Sequence, residues 1–126
     1  GCRKGIGQQA MEEAFAALLA QSGLCAEAFY KVCSIDLKRD EPGLRAFCAA
    51  HGFAFETFSA AQLAAVAGRF SSSGFVQSVT GVDNVCERSA VLGSGGPLYC
   101  KKQAGGGVTM AAAMAPFAPD WRWQDE

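Results

Sequence analysis

Three short stretches of the 126-residue sequence concentrate side chains that could bind or transform a ligand. The first is the opening GCRKG, in which an arginine and a lysine stand between glycines that let the backbone turn sharply. The second is SIDLKRDE at residues 34–41, and the third is TGVDNVCE at residues 80–87. The candidate site residues in these stretches are Arg3, Lys4, Ser34, Asp36, Lys38, Glu41, Thr80, Gly81 and Glu87.

The basic side chains of these stretches predict an anionic ligand. Arg3, Lys4, Lys38 and Arg39 would give one edge of the fold a positive field, although the net charge of the chain is only −1. Guanidinium and ammonium groups pair with carboxylates and phosphates, so a ligand that carries several such groups would suit this edge. A solvated loop edge, where charged residues commonly lie, stays open as the alternative.

The acidic side chains allow two interpretations. Asp36 and Glu41 stand close to predicted helix starts, where a carboxylate caps backbone N–H groups and complements the helix dipole. Glu87 falls in the first turns of a predicted helix among small and apolar neighbours, where a carboxylate could act as a general acid or base. We therefore take Glu87 and Asp36 as the candidate catalytic residues, with structural capping as the alternative.

A dinucleotide-binding interpretation also has a sequence basis. Residues 5–10 satisfy the pattern G-x-G-x-x-[G/A], and Asp36 ends the next predicted strand, where a ribose-binding acid would lie. The distance from Ala10 to Asp36 is somewhat long, and residues 1–4 stand where the first glycine should meet the strand end. This match remains a further alternative.

The composition argues against several other classes of function. A net charge of −1 does not suit a nucleic-acid-binding protein, and no apolar run reaches the roughly 18 residues of a membrane span. The six cysteines form no C-x-x-C pair and His51 is the only histidine, so we expect no metal site and reduced thiols in a cytoplasmic protein. No G-x-S-x-G motif is present, His51 is expected to be structural, and no cofactor is expected.

Apolar spacing predicts helices that alternate with short strands. The helices fall at residues 8–21, from 41 to the glycine at 52, at 60–68 and from about 83, and the strands at 28–35 and 53–58, followed by a hairpin from residues 97–102 and 107–114. This order predicts an α/β fold with three α/β/α layers, a mostly parallel central sheet and a C-terminal β-hairpin. We expect a single domain over residues 1–126, with a further strand before Gly1 to complete the first βαβ unit. Because ligands bind at the carboxyl ends of such strands, the candidate residues should converge there.

Four motifs in order resemble one family, that of the CobE proteins and the C-terminal domains of CbiG in cobalamin (vitamin B12) biosynthesis. The family pattern is G-x-G-C-R-[KR]-G, then [ST]-[IV]-D-x-K-x-x-E, then T-G-V-x-x-V-x-E-x-x-A, and a late K followed by V-T-x-A. The matching residues here are Gly1, Cys2, Arg3, Lys4, Gly5, Ser34, Ile35, Asp36, Lys38, Glu41, Thr80, Gly81, Val82, Val85, Glu87, Ala90, Lys101 (or Lys102), Val108, Thr109 and Ala111. A domain that stands alone is more similar to CobE than to the multidomain CbiG proteins.

The resemblance implies a cytoplasmic protein of corrin-ring synthesis. Its ligand would be a precorrin or a hydrogenobyrinic-acid-type tetrapyrrole, and other enzymes of the pathway would be possible partners. The basic residues Arg3, Lys4, Lys38 and Lys101 would then pair with peripheral acetate and propionate groups, while Asp36, Thr80 and Glu87 shape the site or catalyse. A binding or carrier role is the first expectation. Hydrolysis of the δ-lactone of a cobalt-precorrin, the reaction of CbiG, is the second.

Overall fold

The computed structural model of the chain describes residues 1–66 and 84–115. Short 3₁₀ turns at Ala26–Ala28 and Asp36–Lys38 flank the first strand. The helices and strands, in chain order, are α1 (Gln8–Ser22), β1 (Lys31–Ile35), α2 (Pro42–His51), β2 (Ala54–Phe58), α3 (Ala60–Ala64), α4 (Val85–Ser94), β3 (Leu98–Gly105) and β4 (Val108–Ala113).

Local sequence signals account for most of these boundaries. Proline in the first turn starts α2, and Gly52 ends it in the left-handed region at φ 72°. Ser59 and Gln62 form a reciprocal capping box at the start of α3. The β3–β4 hairpin turns at Gly106 and Gly107, which both have positive φ, as a two-residue hairpin turn requires.

The strands form a parallel pair and an antiparallel hairpin. β1 and β2 pair in parallel register from Lys31 opposite Ala54 to Ile35 opposite Phe58, and β3 pairs antiparallel with β4. Helices α1 and α2 pack together on one face, while α4 packs against both β1 and β4 on the other. The predicted three-layer α/β/α class with a parallel sheet and a C-terminal hairpin is therefore confirmed.

The larger apolar core lies on the α1–α2 face and is rich in aromatic rings. Phe15 meets the rings of Phe47 and Phe53 edge to face, with centroids 5.4 and 5.7 Å away. The His51 ring stacks on Phe53 at 5.1 Å, and its Nε2 lies 2.7 Å from Glu12 Oε1. These contacts hold His51, the last residue of α2, against α1, which supports the structural role expected for it.

Several elements differ from or lie beyond the sequence predictions. The strand predicted at residues 28–35 begins only at Lys31, because residues 26–28 form a 3₁₀ turn. The predicted chain break at residues 71–74, the candidate residues Thr80 and Gly81, and the C-terminal segment 121–126 lie outside the described residues. None of the described helices has both the length and the apolar character needed to cross a membrane.

Candidate functional site

The opening loop is fixed to the hairpin by backbone hydrogen bonds. The Gly1 nitrogen donates to the Thr109 carbonyl at 2.8 Å, and the Thr109 N–H donates to the Gly1 carbonyl at 2.7 Å. The Arg3 N–H donates to the Gly107 carbonyl at 2.9 Å. Residues 1–3 therefore run antiparallel to the start of β4 as a short extended segment.

Glu41 fixes the other end of the same loop. Its two carboxylate oxygens accept hydrogen bonds from the Gly5 N–H at 2.9 and 3.1 Å. Gly5 adopts φ 77°, a left-handed conformation that glycine adopts without steric cost. Glu41 is also the N-cap residue of α2, so one carboxylate connects the loop to the start of that helix.

Gly43 brings α2 into direct contact with the loop. A Cβ placed on Gly43 would lie 2.2 Å from the Ile6 carbonyl oxygen and 2.9 Å from the Gly7 carbonyl carbon. Both neighbours are backbone atoms, which cannot rotate away. Glu41 and Gly43 thus hold residues 5–7 in one position against the N-terminal turn of α2.

This loop presents two exposed cations. The Arg3 guanidinium lies across the hairpin turn, because a Cβ on Gly107 would come within 2.2 Å of Arg3 Nε. Lys4 is exposed beside it. Hydrogen bonds to the β3–β4 hairpin on one side and to Glu41 on the other hold the backbone of this loop. The backbone positions of Arg3 and Lys4 are therefore fixed.

Lys38 approaches the same loop from the 3₁₀ turn that follows β1. Burial lowers the pKa of the Gly1 amine, and the Lys38 charge lowers it further. Burial raises the pKa of the neighbouring Cys2 thiol, and the Lys38 charge opposes that rise. Lys38 lies next to the residue that holds this loop, because the Glu41 N–H donates to the Lys38 carbonyl at 3.2 Å. Asp36 is exposed in the same turn.

Ser34 is the buried polar residue at the end of β1. It is 2 % exposed, and its hydroxyl has no hydrogen-bond partner among the described residues. Ser34 lines a cavity together with Gly1, Cys2, Cys86 and Thr109. Each of the four sequence motifs therefore contributes at least one residue to this cavity.

Glu87 lies at the start of α4 and is only 1 % exposed. One carboxylate oxygen accepts from the side-chain amide of Asn84, the N-cap residue, and the other accepts from the Lys102 N–H at 2.7 Å. Asn84 itself adopts a positive φ of 47°, and its side-chain oxygen accepts from the Glu87 N–H. In this arrangement the carboxylate connects the N-terminus of α4 to β3.

Of the two late lysines, Lys102 is the one whose backbone contacts a candidate residue, because its N–H donates to the Glu87 carboxylate at 2.7 Å. Burial raises the pKa of the Cys86 thiol, and a hydrogen bond from Thr109 and the Lys102 charge act against that rise. Lys101 is exposed on β3, and within residues 1–66 and 84–115 its side chain makes no hydrogen bond or ion pair. Among the described residues, the opening loop itself carries the cations Arg3 and Lys4, and Lys38 lies in the turn that Glu41 connects to this loop.

The α1 N-terminus does not offer a phosphate cradle. The Cβ position of Gly43 lies 3.1 Å from the Gln8 nitrogen, so the first turn of α2 covers the helix start that a pyrophosphate would need. Gly7 serves as N-cap without a side-chain hydrogen bond. This packing argues against the dinucleotide interpretation. In the described part of the chain, no three His, Cys, Asp or Glu side chains come together as a metal site.

The cysteines are free thiols with unequal environments. Burial raises the pKa of both Cys33 and Cys48 to about 11, whereas Cys25 is exposed. At pH 8 we expect iodoacetamide to alkylate Cys25 first and to reach Cys33 and Cys48 only after denaturation, because the thiolate is the nucleophile. Peptide mass mapping over time measures this order. Rapid alkylation of Cys33 in the folded protein would contradict it.

The raised pKa values of Cys33 and Cys48 predict that the free energy of unfolding falls at alkaline pH. Since an unfolded thiol ionises near pH 9 and the folded Cys33 and Cys48 near 11, protons leave the unfolded state first as the pH rises. Their contribution to stability is complete below about pH 9 and is lost between pH 9 and 11. Chemical denaturation across this range, with the Cys33→Ala variant as comparison, measures the effect.

Comparison with known families matches residues 1–113 to the family described as Cobalamin synthesis G C-terminus. The chain belongs to this family. The resemblance predicted from the four motifs is thus confirmed, and the match extends over the loop, the cavity and the hairpin described above.

Two curated relatives align with nearly the whole domain. The cobalt-precorrin-5A hydrolase of Priestia megaterium is 30% identical over 118 residues, which cover 93% of this chain and 31% of the relative. The protein of the same name from Salmonella typhimurium is 31% identical over 115 residues, which cover 91% of this chain and 33% of the relative. The chain thus spans about a third of the length of these relatives.

Solved structures of the same fold include CobE, a protein from the cobalamin (vitamin B12) biosynthetic pathway. It superposes with a TM-score of 0.81 at 27% identity, covering 88% of this chain and 83% of CobE. The cobalamin biosynthesis protein chiG from Agrobacterium tumefaciens str. C58 has a TM-score of 0.70 at 26% identity, covering 91% and 94% of the two chains. Both support the fold assignment of this cobalamin synthesis G C-terminal domain.

Sequence reasoning missed Gly43 and Asn84, two residues of this domain that shape the site. Gly43 lies inside the segment EPGL, where a glycine in the first turn of a helix is an unfavourable choice and therefore a signal of close packing. Asn84 directly precedes α4, where an N-cap residue is expected. The positive φ of Asn84 was not predicted from the sequence.

Proposed function

We propose that this chain binds a precorrin-type tetrapyrrole intermediate of cobalamin biosynthesis and acts as a binding or carrier protein. The ligand's peripheral carboxylates would pair with basic side chains around the opening loop, as charge-assisted hydrogen bonds. The observation that carries the proposal is that Lys38, from a distant part of the chain, lies beside the loop that carries Arg3 and Lys4. The Lys38 carbonyl accepts from the Glu41 N–H, and the Glu41 carboxylate in turn binds Gly5 of that loop.

The neighbouring surface supports the same ligand class. Leu37 is 61% exposed in the 3₁₀ turn between Asp36 and Lys38. Leu37 thus places beside the cations one apolar side chain, on which the apolar face of a carboxylated macrocycle would rest. The names of the curated relatives, cobalt-precorrin-5A hydrolases, agree with a precorrin as the ligand.

Loss of a loop cation is expected to weaken binding about tenfold at low salt, because one charge-assisted hydrogen bond contributes about 1.5 kcal/mol. The variants are Lys4→Gln and Lys38→Gln, titrated with hydrogenobyrinic acid and followed by its absorption spectrum. The matched control is Lys31→Gln. Lys31 starts β1, away from the loop, and pairs with Glu56 at 2.7 Å.

The titration separates the outcomes clearly. The control should bind like the wild-type protein, and the wild-type affinity should fall with added salt since the attraction between exposed charges is screened. Equal affinity for Lys4→Gln, Lys38→Gln and the wild type would contradict the proposed site. The absence of any spectral change with the wild type would contradict tetrapyrrole binding itself.

Hydrolysis of a lactone-bearing cobalt-precorrin is the second candidate function. It is favoured by the relatives' names and by the buried Glu87, the candidate acid or base, with Asp36 as the second candidate catalytic residue. Incubation with such a precorrin, followed by mass analysis of the recovered pigment, distinguishes the two functions. A carrier returns the pigment unchanged. A hydrolase returns it with the lactone opened, heavier by one water after ring opening alone, or lighter by a net C2H2 where the two-carbon fragment also leaves as acetaldehyde.

A further inference from the structure

The residues that connect β1 to α2, hereafter the 36–41 turn, carry Lys38 and Arg39. Two backbone hydrogen bonds close this turn. The Arg39 N–H donates to the Asp36 carbonyl at 3.0 Å, and the Glu41 N–H donates to the Lys38 carbonyl at 3.2 Å. The carboxylate of Glu41 also holds the opening loop, so the turn and the loop lie side by side.

Arg45 of α2 is attached to this turn by its side chain. Its Nη1 donates to the Arg39 carbonyl at 2.9 Å, and its backbone N–H donates to the Glu41 carbonyl at 3.0 Å. The guanidinium therefore lies against the backbone that carries Lys38 and Arg39. A cation close to a helix N-terminus is disfavoured by the helix dipole, and an anion bound beside Arg45 would offset this cost.

The guanidinium of Arg45 keeps donors available for a ligand. Its side chain is exposed, and its hydrogen bond to Arg39 uses one of several N–H groups in a rigid fork. Within residues 1–66 and 84–115 Arg45 forms no ion pair, although Asp36 and Asp40 are exposed in the same turn. The remaining N–H groups can therefore pair with a carboxylate of a ligand.

Arg39 provides a comparison within the same turn. Its side chain is exposed and makes no hydrogen bond or ion pair with the part of the chain that the structure describes. A ligand that bound Arg39 would have to immobilise this long side chain, which costs conformational entropy, whereas the bond to the Arg39 carbonyl already restricts Arg45. Of the two arginines, Arg45 is thus the preorganised one.

We propose that Arg45 is a specificity-determining residue of the tetrapyrrole site, where its guanidinium binds a free carboxylate of the macrocycle in preference to a carboxamide. This inference rests on the function proposed above, and it adds a residue that none of the four motifs contains. An ionised carboxylate offsets the positive charge that Lys38, Arg39 and Arg45 concentrate at the 36–41 turn. A neutral carboxamide offers only one uncharged acceptor.

The test titrates two ligands, hydrogenobyrinic acid and the same macrocycle with its carboxylates converted to primary amides. The variants are Arg45→Gln and Arg45→Lys, and the matched control is Arg39→Gln, which removes the same charge from the same turn. At low salt we expect Arg45→Gln to bind the acid about tenfold more weakly than the wild type, and Arg39→Gln about twofold more weakly. Arg45→Lys should fall between them, because an ammonium keeps the charge but lacks the fork. With the amidated macrocycle, the difference between the wild type and Arg45→Gln should disappear.

Two further measurements distinguish ligand binding from a purely structural role of Arg45. Because the side chain is exposed, Arg45→Gln should keep the thermal midpoint within about 3 °C of the wild type. The tenfold difference in affinity should shrink to about threefold or less near 1 M salt, since salt screens exposed charges. A distorted site would instead weaken binding to the same extent at both salt concentrations.

Three results would overturn the inference. The first is full affinity of Arg45→Gln for hydrogenobyrinic acid while Lys4→Gln and Lys38→Gln bind it weakly, which would leave the proposed function intact. The second is an equal loss of affinity of Arg45→Gln for the acid and for the amidated macrocycle, which would remove the specificity. The third is the absence of tetrapyrrole binding by the wild type, which would overturn the proposed function as well.

Discussion

Replacement of Glu87 by alanine is expected to lower the free energy of unfolding by about 4 kcal/mol. The change removes a buried acceptor from the Asn84 side chain and from the Lys102 N–H, and each buried donor left without a partner costs about 1–3 kcal/mol. The cavity left by the side chain adds to the loss. Urea denaturation followed by circular dichroism measures it.

The conservative variant Glu87→Gln separates structure from catalysis. It keeps the shape but directs an amide N–H₂ group at one of the two donors, so we expect a loss of about 2 kcal/mol. The exposed Glu13→Gln change on α1 is the matched control and should stay within about 0.5 kcal/mol of the wild type. Full stability of Glu87→Gln, together with loss of hydrolysis, would instead support a catalytic role.

Gly43→Ala is the second change with a large expected effect. Alanine is the better helix former, and by propensity alone it would stabilise α2 by about 0.5–1 kcal/mol. Here its Cβ would overlap the Ile6 carbonyl oxygen and displace the loop backbone, and such overpacking costs about 1–3 kcal/mol. Because the Cβ meets backbone atoms, we expect the upper end of this range, about 3 kcal/mol. After the gain in helix propensity, the expected net loss is about 2 kcal/mol, or a fall of about 8 °C in the thermal midpoint.

A glycine without neighbours is the control for this change. A Cβ on Gly105 would meet no atom within 4 Å, so Gly105→Ala should leave the midpoint nearly unchanged. Because Gly43 holds residues 5–7, we also expect Gly43→Ala to weaken tetrapyrrole binding without altering any charged side chain. A Gly43→Ala protein as stable as the wild type would show that the loop moves away easily.

The alternation of elements was predictable because local signals determine it. Pro42 and Gly52 mark the ends of α2, Ser59 marks the start of α3, and the glycine turn at 106–107 marks the hairpin. The predicted boundary of β1 was wrong, because tertiary packing rather than local sequence determines where the 3₁₀ turn ends and the strand begins. Periodicity of apolar residues does not distinguish such a turn from the start of a strand.

The contacts within the site depended on long-range packing, and they were less predictable. Ser34, Lys38 and Glu41 were selected by motif, but the bond from Gly5 to Glu41 joins residues that the sequence does not relate. The late lysine of the motif could be matched to Lys101 or to Lys102, and strand alternation would normally place these two neighbours on opposite faces of β3. Register irregularities between Leu98 and Gln103 interrupt that alternation in β3, and no sequence signal marked them.

The position of α4 has a consequence for how the molecule unfolds. This helix packs on β1 and on β4, and a Cβ on Gly93 would lie 2.2 Å from Cys33 Sγ, so helix and strand are in close contact. The parallel pair and the hairpin thus share their packing partner. When α4 detaches, the parallel pair and the hairpin both lose their packing partner. The two halves should therefore unfold together, because unfolding of one half destabilises the other through α4.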